Sequence, residues 1–192
     1  MPSQYYDEQW ELVPEHGAWP AYHKIEFVHS LPPVERALDF GCGDGRLTTE
    51  IRAETVTAVD VSVVALARAR GHLPQARLAA IDPGMDLPFE DASFDLVLCA
   101  DALEHVHDLR RGLSELKRVL TPLGTLAITT PTHDRYVALD LLLHGFERRF
   151  DPLAPPVHHF TTTSLRHLLG LAGLRPRSVA TTEETILAVI DL

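Results

Sequence analysis

The fold of this chain is decided by the stretch Ala37-Leu38-Asp39-Phe40-Gly41-Cys42-Gly43-Asp44-Gly45-Arg46-Leu47-Thr48. An apolar strand runs here into a glycine-rich turn and then toward a helix. The three glycines allow positive φ angles and a close approach of the backbone to a ligand. The helix start that follows offers unpaired N–H groups and the positive end of a dipole. The stretch therefore predicts a binding site for an anionic or zwitterionic ligand.

A second apolar strand, Val56-Thr57-Ala58-Val59-Asp60, ends in a carboxylate that lies 19 residues after Gly41. An acid at this distance can accept hydrogen bonds from both hydroxyls of a ribose. The dinucleotide fingerprint G-x-G-x-x-G would need a third glycine where this chain has Arg46, and the spacing here is G-x-G-x-G. The pattern indicates a nucleoside ligand, and Arg46 argues against a nicotinamide dinucleotide.

With D-F-G-C-G-D-G at 39–45 and V-D-V-S at 59–62, the chain resembles the class I methyltransferases that use S-adenosylmethionine. Three later segments look like those of the small-molecule members of that class: LPFEDASFDLV at 87–97, ADALEHV at 100–106, and LKRVL at 116–120 followed by Pro122 and Gly124. The resemblance covers roughly residues 35 to 130, with a weaker echo at 158–174. Leu123 departs from the glycine that is common in the family.

Strand, turn and helix signals alternate from about residue 36, which predicts a parallel sheet with helices on both faces. Together with the resemblance, this predicts an α/β, Rossmann-like, doubly wound, mostly parallel seven-stranded sheet with an antiparallel C-terminal edge hairpin. Helices are expected near 46–53, from Ser62 to Gly71, from Asp108 to about Pro122, and from about Thr162. The hairpin is expected at 178–182 and 185–190.

The length predicts one domain over residues 1–192. Residues 1–19 show no clear period, and Pro20 opens a predicted helix through about Leu31. The resemblance implies that 1–35 cover the cofactor and acceptor, the alternative being a loosely attached tail. Residues 131–160 are the room left for a substrate lid.

The resemblance also implies which residues hold S-adenosylmethionine. Asp39 and the 41–45 loop would hold the methionine part, Asp60 the ribose, and Val61 the adenine ring. Asp82, or instead the backbone of Gly84 or Met85, would meet the adenine amino group. Backbone at the end of a later strand would close the methionine end, and an N-terminal tyrosine would exclude water. The residues so implied are Asp39, Gly41, Cys42, Gly43, Gly45, Asp60, Val61, Asp82, Gly84, Met85, Cys99, Ala100 and Tyr6.

The resemblance places Leu103-Glu104-His105 at the wall nearest the sulfonium. His105 is then either an oriented structural imidazole beside Glu104 or a general base for a hydroxyl acceptor. His158 and His159 of the lid segment are further candidates for that base. An amine acceptor would need no strong base.

Composition excludes several function classes. The chain has 27 acidic and 17 basic residues, a formal net charge of −10, which opposes binding to nucleic acid or to an anionic membrane surface. Apolar runs are too short to span a bilayer. Eleven histidines are present, yet none shows ligand spacing, so no metal is expected. Two cysteines exclude a disulfide framework and fit a reducing cytoplasm.

These observations predict a cytoplasmic methyltransferase that acts on an oxygen or nitrogen nucleophile of a small molecule, free or presented on a larger carrier. Monomer and homodimer both remain open. The competing hypotheses are a nicotinamide-dependent oxidoreductase and a catalytically silent module that binds the cofactor.

Overall fold

Strands and helices alternate along the residues that this computed structural model describes, 3–14, 19–82, 84, 86–145 and 157–192. The strands are β1 (Val34–Phe40), β2 (Ala53–Asp60), β3 (Arg77–Ala80), β4 (Phe94–Ala100), β5 (Leu120–Pro131), β6 (Pro176–Thr182) and β7 (Thr185–Asp191). The helices are α1 (Ser3–Leu12), α2 (Tyr22–Ser30), α3 (Val63–His72), α4 (Leu109–Val119), α5 (Arg135–His144) and α6 (Thr162–Leu171). Thr48–Glu50 and Leu103–His105 form single 3-10 turns.

All seven strands form one sheet in the order β3-β2-β1-β4-β5-β7-β6. The first five strands are parallel, whereas β7 runs antiparallel to both β5 and β6. The predicted architecture is therefore confirmed. The strand order reverses between β1 and β4, and in such sheets ligands bind in the crevice beyond the carboxyl ends of the strands at that point.

Both faces of the sheet are buried because its central strands carry apolar residues at successive positions. Leu38, Val97 and Ile128 pack with α4 and α6 on one face. Ala37 and Leu98 pack with α2 on the other face, where Ala58 contacts α3. The core thus holds the strand ends rigidly, and the turns that follow them carry the candidate site.

The helix predicted near 46–53 is wrong. The chain makes only the 3-10 turn Thr48–Glu50, and β2 begins already at Ala53. Side chains compete with the helical backbone here, since the Thr48 hydroxyl donates to Asp39 at 2.6 Å and the Thr49 hydroxyl donates to the Arg46 carbonyl at 2.7 Å. Ile51, directly after this turn, is buried against the sheet.

Two other features differ from the prediction. Helix α1 was not predicted at all. Helix α4, capped by Asp108 as expected, ends at Val119, and Pro122 and Gly124 lie within β5. The strand tolerates this proline because the ladder with β4 is interrupted between Phe94 and Leu96, so that the proline needs no partner there.

Candidate functional site

A cavity of about 300 Å³ lies at the carboxyl ends of β1, β2, β3 and β4. Its walls are the inner side of α1, the glycine loop after β1, the ends of β2 and β3, the turn after β4 and the first half of α4. This is the crevice at the reversal of strand order. The sequence motifs and the topology therefore point to the same place.

The glycine loop forms the floor of this cavity with backbone that only glycine adopts easily. Gly41 and Gly43 have φ angles of +78° and +55°. A Cβ atom on Gly41 would lie 2.5 Å from the Cβ of Ala102, and one on Gly43 would lie 2.7 Å from the ring of Trp10. The loop is thus closely packed on both sides, which fixes the shape of the cavity.

Asp60 ends β2 with both carboxylate oxygens engaged by neighbouring backbone. One oxygen accepts from the Gly43 N–H at 2.8 Å and the other from the Ser62 N–H at 2.9 Å. Burial raises the pKa of Asp60, and the backbone donors oppose that rise. The carboxylate therefore ties the glycine loop to the start of α3 while it lines the cavity.

Asp39 lies behind the glycine loop and is 2% exposed. The Thr48 hydroxyl donates to its Oδ2, whereas Oδ1 is buried and has no hydrogen-bond partner among the described residues. Burial raises the pKa of Asp39 to about 7. A buried acceptor without a donor costs about 1–3 kcal/mol, so this oxygen is suited to a donor from a ligand.

Helix α1 supplies a further wall. It lies in the N-terminal segment that the resemblance implied as a cover, although the sequence pattern predicted no helix there. Tyr6 and Trp10 line the cavity. Asp7 fastens the helix, because its Oδ1 accepts from the Ser62 hydroxyl at 2.6 Å and from the Val64 N–H at 3.2 Å. The spacing of Tyr6, Trp10 and Val13 by four and three residues is helical and was the available signal.

Arg68 adds a second attachment between α1 and α3. Its guanidinium lies 5.8 Å from the centre of the Trp10 ring and donates to the Val13 carbonyl at 2.8 Å. Residues 55 or more apart in the sequence therefore hold α1 over the cavity.

The turn after β4 supplies the opposite wall. Asp101, Ala102 and His105 line the cavity, and the His105 ring meets the edge of the Tyr6 ring with centroids 6.0 Å apart. Burial is the main factor that raises the pKa of Tyr6. The imidazole thus stands where α1 and the turn after β4 approach each other.

Glu104 lies behind this turn, buried at 3% exposure. Its Oε2 accepts from the Thr130 hydroxyl at 2.9 Å, and its carbonyl accepts from the N–H groups of Val157 and His158. Burial raises the pKa of Glu104 to about 7. The residue connects β4, β5 and the segment that precedes α6.

The raised pKa of Glu104 should be detectable in the pH dependence of the free energy of unfolding. The folded pKa of about 7 exceeds the ordinary 4.5, so the folded chain binds more protons between these values. The contribution of Glu104 to the free energy of unfolding is therefore fully present below pH 4.5 and is lost as the pH rises through about 7. Glu104→Gln should reduce this loss by on the order of 3 kcal/mol, measured by urea unfolding at several pH values.

Exposed Glu54 provides the matched control for that experiment, since Glu54→Gln should leave the pH dependence as in the unaltered chain. Asp39 contributes a loss of the same sign, so some dependence should remain in Glu104→Gln. An unchanged curve for Glu104→Gln would show that this carboxyl is ionised in the folded chain at neutral pH.

The structure places the sequence-predicted residues in two groups. Those that line the cavity are Tyr6, Gly41, Gly43, Asp60, Val61, Asp82, Gly84 and His105. Those that lie behind the lining are Asp39, Cys42, Gly45, Cys99 and Ala100. Burial raises the pKa of both cysteine thiols, which are therefore small neutral packing groups. Met85 lies outside the described residues.

The predicted lid is only partly described. Helix α5 and a bridge between Thr132 and Phe160 belong to it, whereas 146–156 lie outside the described residues. His158 is not among the residues that line the cavity, and its Nε2 is 2.9 Å from the Val106 carbonyl oxygen. The structure therefore brings His105, but not His158, to the cavity.

The described part of the chain holds no group of three or more histidine, cysteine, aspartate or glutamate side chains that could bind a metal ion. None of its helices has the length and apolar character needed to cross a bilayer.

Comparison with known proteins connects this geometry to a family. Residues 38–128 match the family described as "Methyltransferase domain". The chain is 40% identical over 96 residues to an uncharacterized methyltransferase of Mycobacterium tuberculosis, covering 48% of this chain and 49% of that protein. It is 31% identical over 136 residues to the ubiquinone/menaquinone biosynthesis C-methyltransferase of Geotalea daltonii, covering 66% of this chain and 56% of that protein.

The fold has close counterparts among solved structures. A SAM dependent methyltransferase from Aquifex aeolicus superposes with a TM-score of 0.68 at 18% identity, over 98% of this chain and 96% of that chain. By contrast, the chain spans only about half the length of the curated relatives it matches.

Proposed function

We propose that this chain, which matches the methyltransferase family over residues 38–128, is a class I methyltransferase that binds S-adenosylmethionine in the cavity beyond β1, β2 and β4 and transfers its methyl group to a small-molecule acceptor. The observation that carries this proposal is a glycine loop with one carboxylate behind it and a second in the cavity wall. Asp39, near the end of β1, lies behind the loop, and Asp60, at the end of β2, lines the cavity.

The residues present fit the cofactor at both of its ends. The methionine part carries an ammonium group, and the unpartnered Oδ1 of Asp39 is a buried acceptor for such a donor. The nucleoside part carries two ribose hydroxyls, and the Asp60 carboxylate is held in the cavity wall by two backbone donors. Val61, Asp82 and Gly84 surround the place that remains for the adenine ring.

S-adenosylmethionine, when bound, supplies a methyl group that its sulfonium already makes electrophilic. The chain therefore mainly has to orient the acceptor and exclude water, and orientation can contribute roughly 7–11 kcal/mol at the extreme. Tyr6 and Trp10 of α1 line the cavity and would exclude water from the bound cofactor. The net charge of −10 favours the approach of a cationic cofactor.

We propose that the acceptor is a small molecule with an oxygen or nitrogen nucleophile. His105 lines the cavity where α1 meets the turn after β4, and its imidazole can take a proton from a hydroxyl group. The similarity to a C-methyltransferase makes an acidic carbon the competing acceptor. Labelled methyl transfer to a panel of phenols, alcohols, amines and activated methylene compounds separates these classes.

Calorimetric titration with S-adenosylmethionine, S-adenosylhomocysteine and NAD tests the proposal. We expect both sulfur compounds to bind with micromolar or tighter dissociation constants and NAD to give no heat. Binding of NAD together with silence toward the other two ligands would replace the proposal with a nicotinamide-dependent oxidoreductase. Binding of the sulfur compounds without methyl transfer to any acceptor class would favour a catalytically silent module.

A further inference from the structure

Asp101, the first residue after β4, has a backbone conformation that aspartate rarely adopts. Its φ angle is +50°, in the left-handed region that favours glycine. Non-glycine residues in this region persist where the surrounding structure fixes them, and they cluster at functional sites. The sequence pattern gave this residue no role, and the structure places it in the cavity wall.

Three contacts, two to β5 and one to α2, hold Asp101 in this position. Its N–H donates to the Thr129 carbonyl at 2.9 Å, and the Thr129 hydroxyl donates to its Oδ1 at 3.0 Å. Its Oδ2 forms an ion pair with Lys24 of α2. The carboxylate is therefore fixed by α2 and β5 while it belongs to the turn after β4.

Asp101 also lies beside the glycine loop. The next residue, Ala102, is the group that a Cβ atom on Gly41 would meet at 2.5 Å. The turn after β4 and the glycine loop are thus in direct contact, on the side where the proposed function places the methionine part of the cofactor. The side chain of Asp101 is 36% exposed and that of its partner Lys24 only 19% exposed.

We propose that the Lys24–Asp101 ion pair recognises the positive charge of the sulfonium and so sets the preference for S-adenosylmethionine over its neutral product, S-adenosylhomocysteine. This inference rests on the proposed function. Asp101 supplies the attraction, because a carboxylate lowers the free energy of a nearby cation and leaves a neutral thioether almost unaffected. Lys24 limits the attraction, because its own positive charge opposes the sulfonium.

Two other acids near the cavity, Glu104 and Asp60, are less suited to this role. Glu104 lies outside the lining and is bonded to Thr130. Asp60 binds the backbone of the glycine loop and of Ser62 on the opposite side of the cradle. Among the described residues, Asp101 is the acid of the turn after β4 that both faces the cavity and carries its own cationic partner.

The test is calorimetric titration of the full chain and its variants with S-adenosylmethionine and S-adenosylhomocysteine. The readout is the ratio of the two dissociation constants, which cancels losses that affect both ligands equally. We expect Asp101→Asn and Asp101→Gly to lower the preference for the sulfonium compound about tenfold, as removal of one partly screened charge would. Lys24→Met should instead increase the preference for the sulfonium compound, because it removes the opposing positive charge.

Asp101→Gly serves as the second variant because glycine relaxes the positive φ, so a folded protein is expected even if Asp101→Asn fails to fold. Ala92→Gly is the matched control, since Ala92 also has a positive φ, of 55°, but lies in the turn before β4. Its ratio should equal that of the unaltered chain. Thermal unfolding identifies the folded variants.

An unchanged ratio in the folded Asp101 variants would overturn the inference and leave the proposed function intact. So would a Lys24→Met variant with a reduced preference for the sulfonium compound. If the unaltered chain bound neither sulfur compound, the proposed function would fail and the inference with it.

Discussion

Asp60→Ala is expected to weaken the binding of S-adenosylmethionine about 100-fold, the change produced by losing two hydrogen bonds to a charged acceptor. The carboxylate faces the cavity and also receives the N–H groups of Gly43 and Ser62 at 2.8 and 2.9 Å. Its removal would therefore take away the proposed ribose acceptor and release the glycine loop from the start of α3. Calorimetric titration of the variant measures the loss.

Two further variants sharpen this experiment. Asp60→Asn keeps one acceptor oxygen and should lose less affinity than the alanine variant. Asp44→Asn is the control within the same loop, because the Asp44 side chain pairs with Arg46 and does not line the cavity. Its affinity should stay close to that of the unaltered chain. Equal affinities in Asp60→Ala and the unaltered chain would place the ribose elsewhere.

Gly41→Ala is expected to reduce the free energy of unfolding by about 2–6 kcal/mol, because a strained φ and an overpacked contact each cost about 1–3 kcal/mol. The φ angle is +78°, and the new methyl carbon would lie 2.5 Å from the Cβ of Ala102. Neither atom can move without shifting backbone at the cavity floor. Urea unfolding at neutral pH measures the change.

The double variant Gly41→Ala with Ala102→Gly separates the two causes. Removal of the Ala102 methyl group should relieve the overpacking and recover that part of the free energy of unfolding. The part lost through the strained φ of residue 41 should remain. Gly71→Ala is the control, since Gly71 lies in α3 with nothing within 4 Å of the added carbon. That substitution should stabilise the helix by about 0.5–1 kcal/mol. Full stability of Gly41→Ala would mean that the loop differs from the one described.

The sheet and half of the site could be predicted because their signals are local. The glycine loop and Asp60 follow or end consecutive strands, and central strand β4 is an almost continuous apolar run. Ser62 and Asp108 cap their helices within three residues, as the sequence suggested. Each of these features depends on neighbours in the sequence, which the sequence displays directly.

The remaining features depend on contacts between distant segments. Helix α1 gains its place through Asp7 and Ser62, which are 55 residues apart. Asp101 takes its left-handed conformation because two distant residues hold its carboxylate. Lys24 lies 77 residues before it in the sequence, and Thr129 lies 28 residues after it. The helix predicted near 46–53 does not form, because the Thr48 hydroxyl is hydrogen-bonded to Asp39 and because β2 begins already at Ala53.

A crystal structure of the chain with S-adenosylhomocysteine would show whether this cavity is the cofactor site. We predict electron density for the nucleoside between the glycine loop and the turn after β4, with both ribose hydroxyls hydrogen-bonded to Asp60. Density for the ligand at another place, or a ribose that makes no contact with Asp60, would contradict the account.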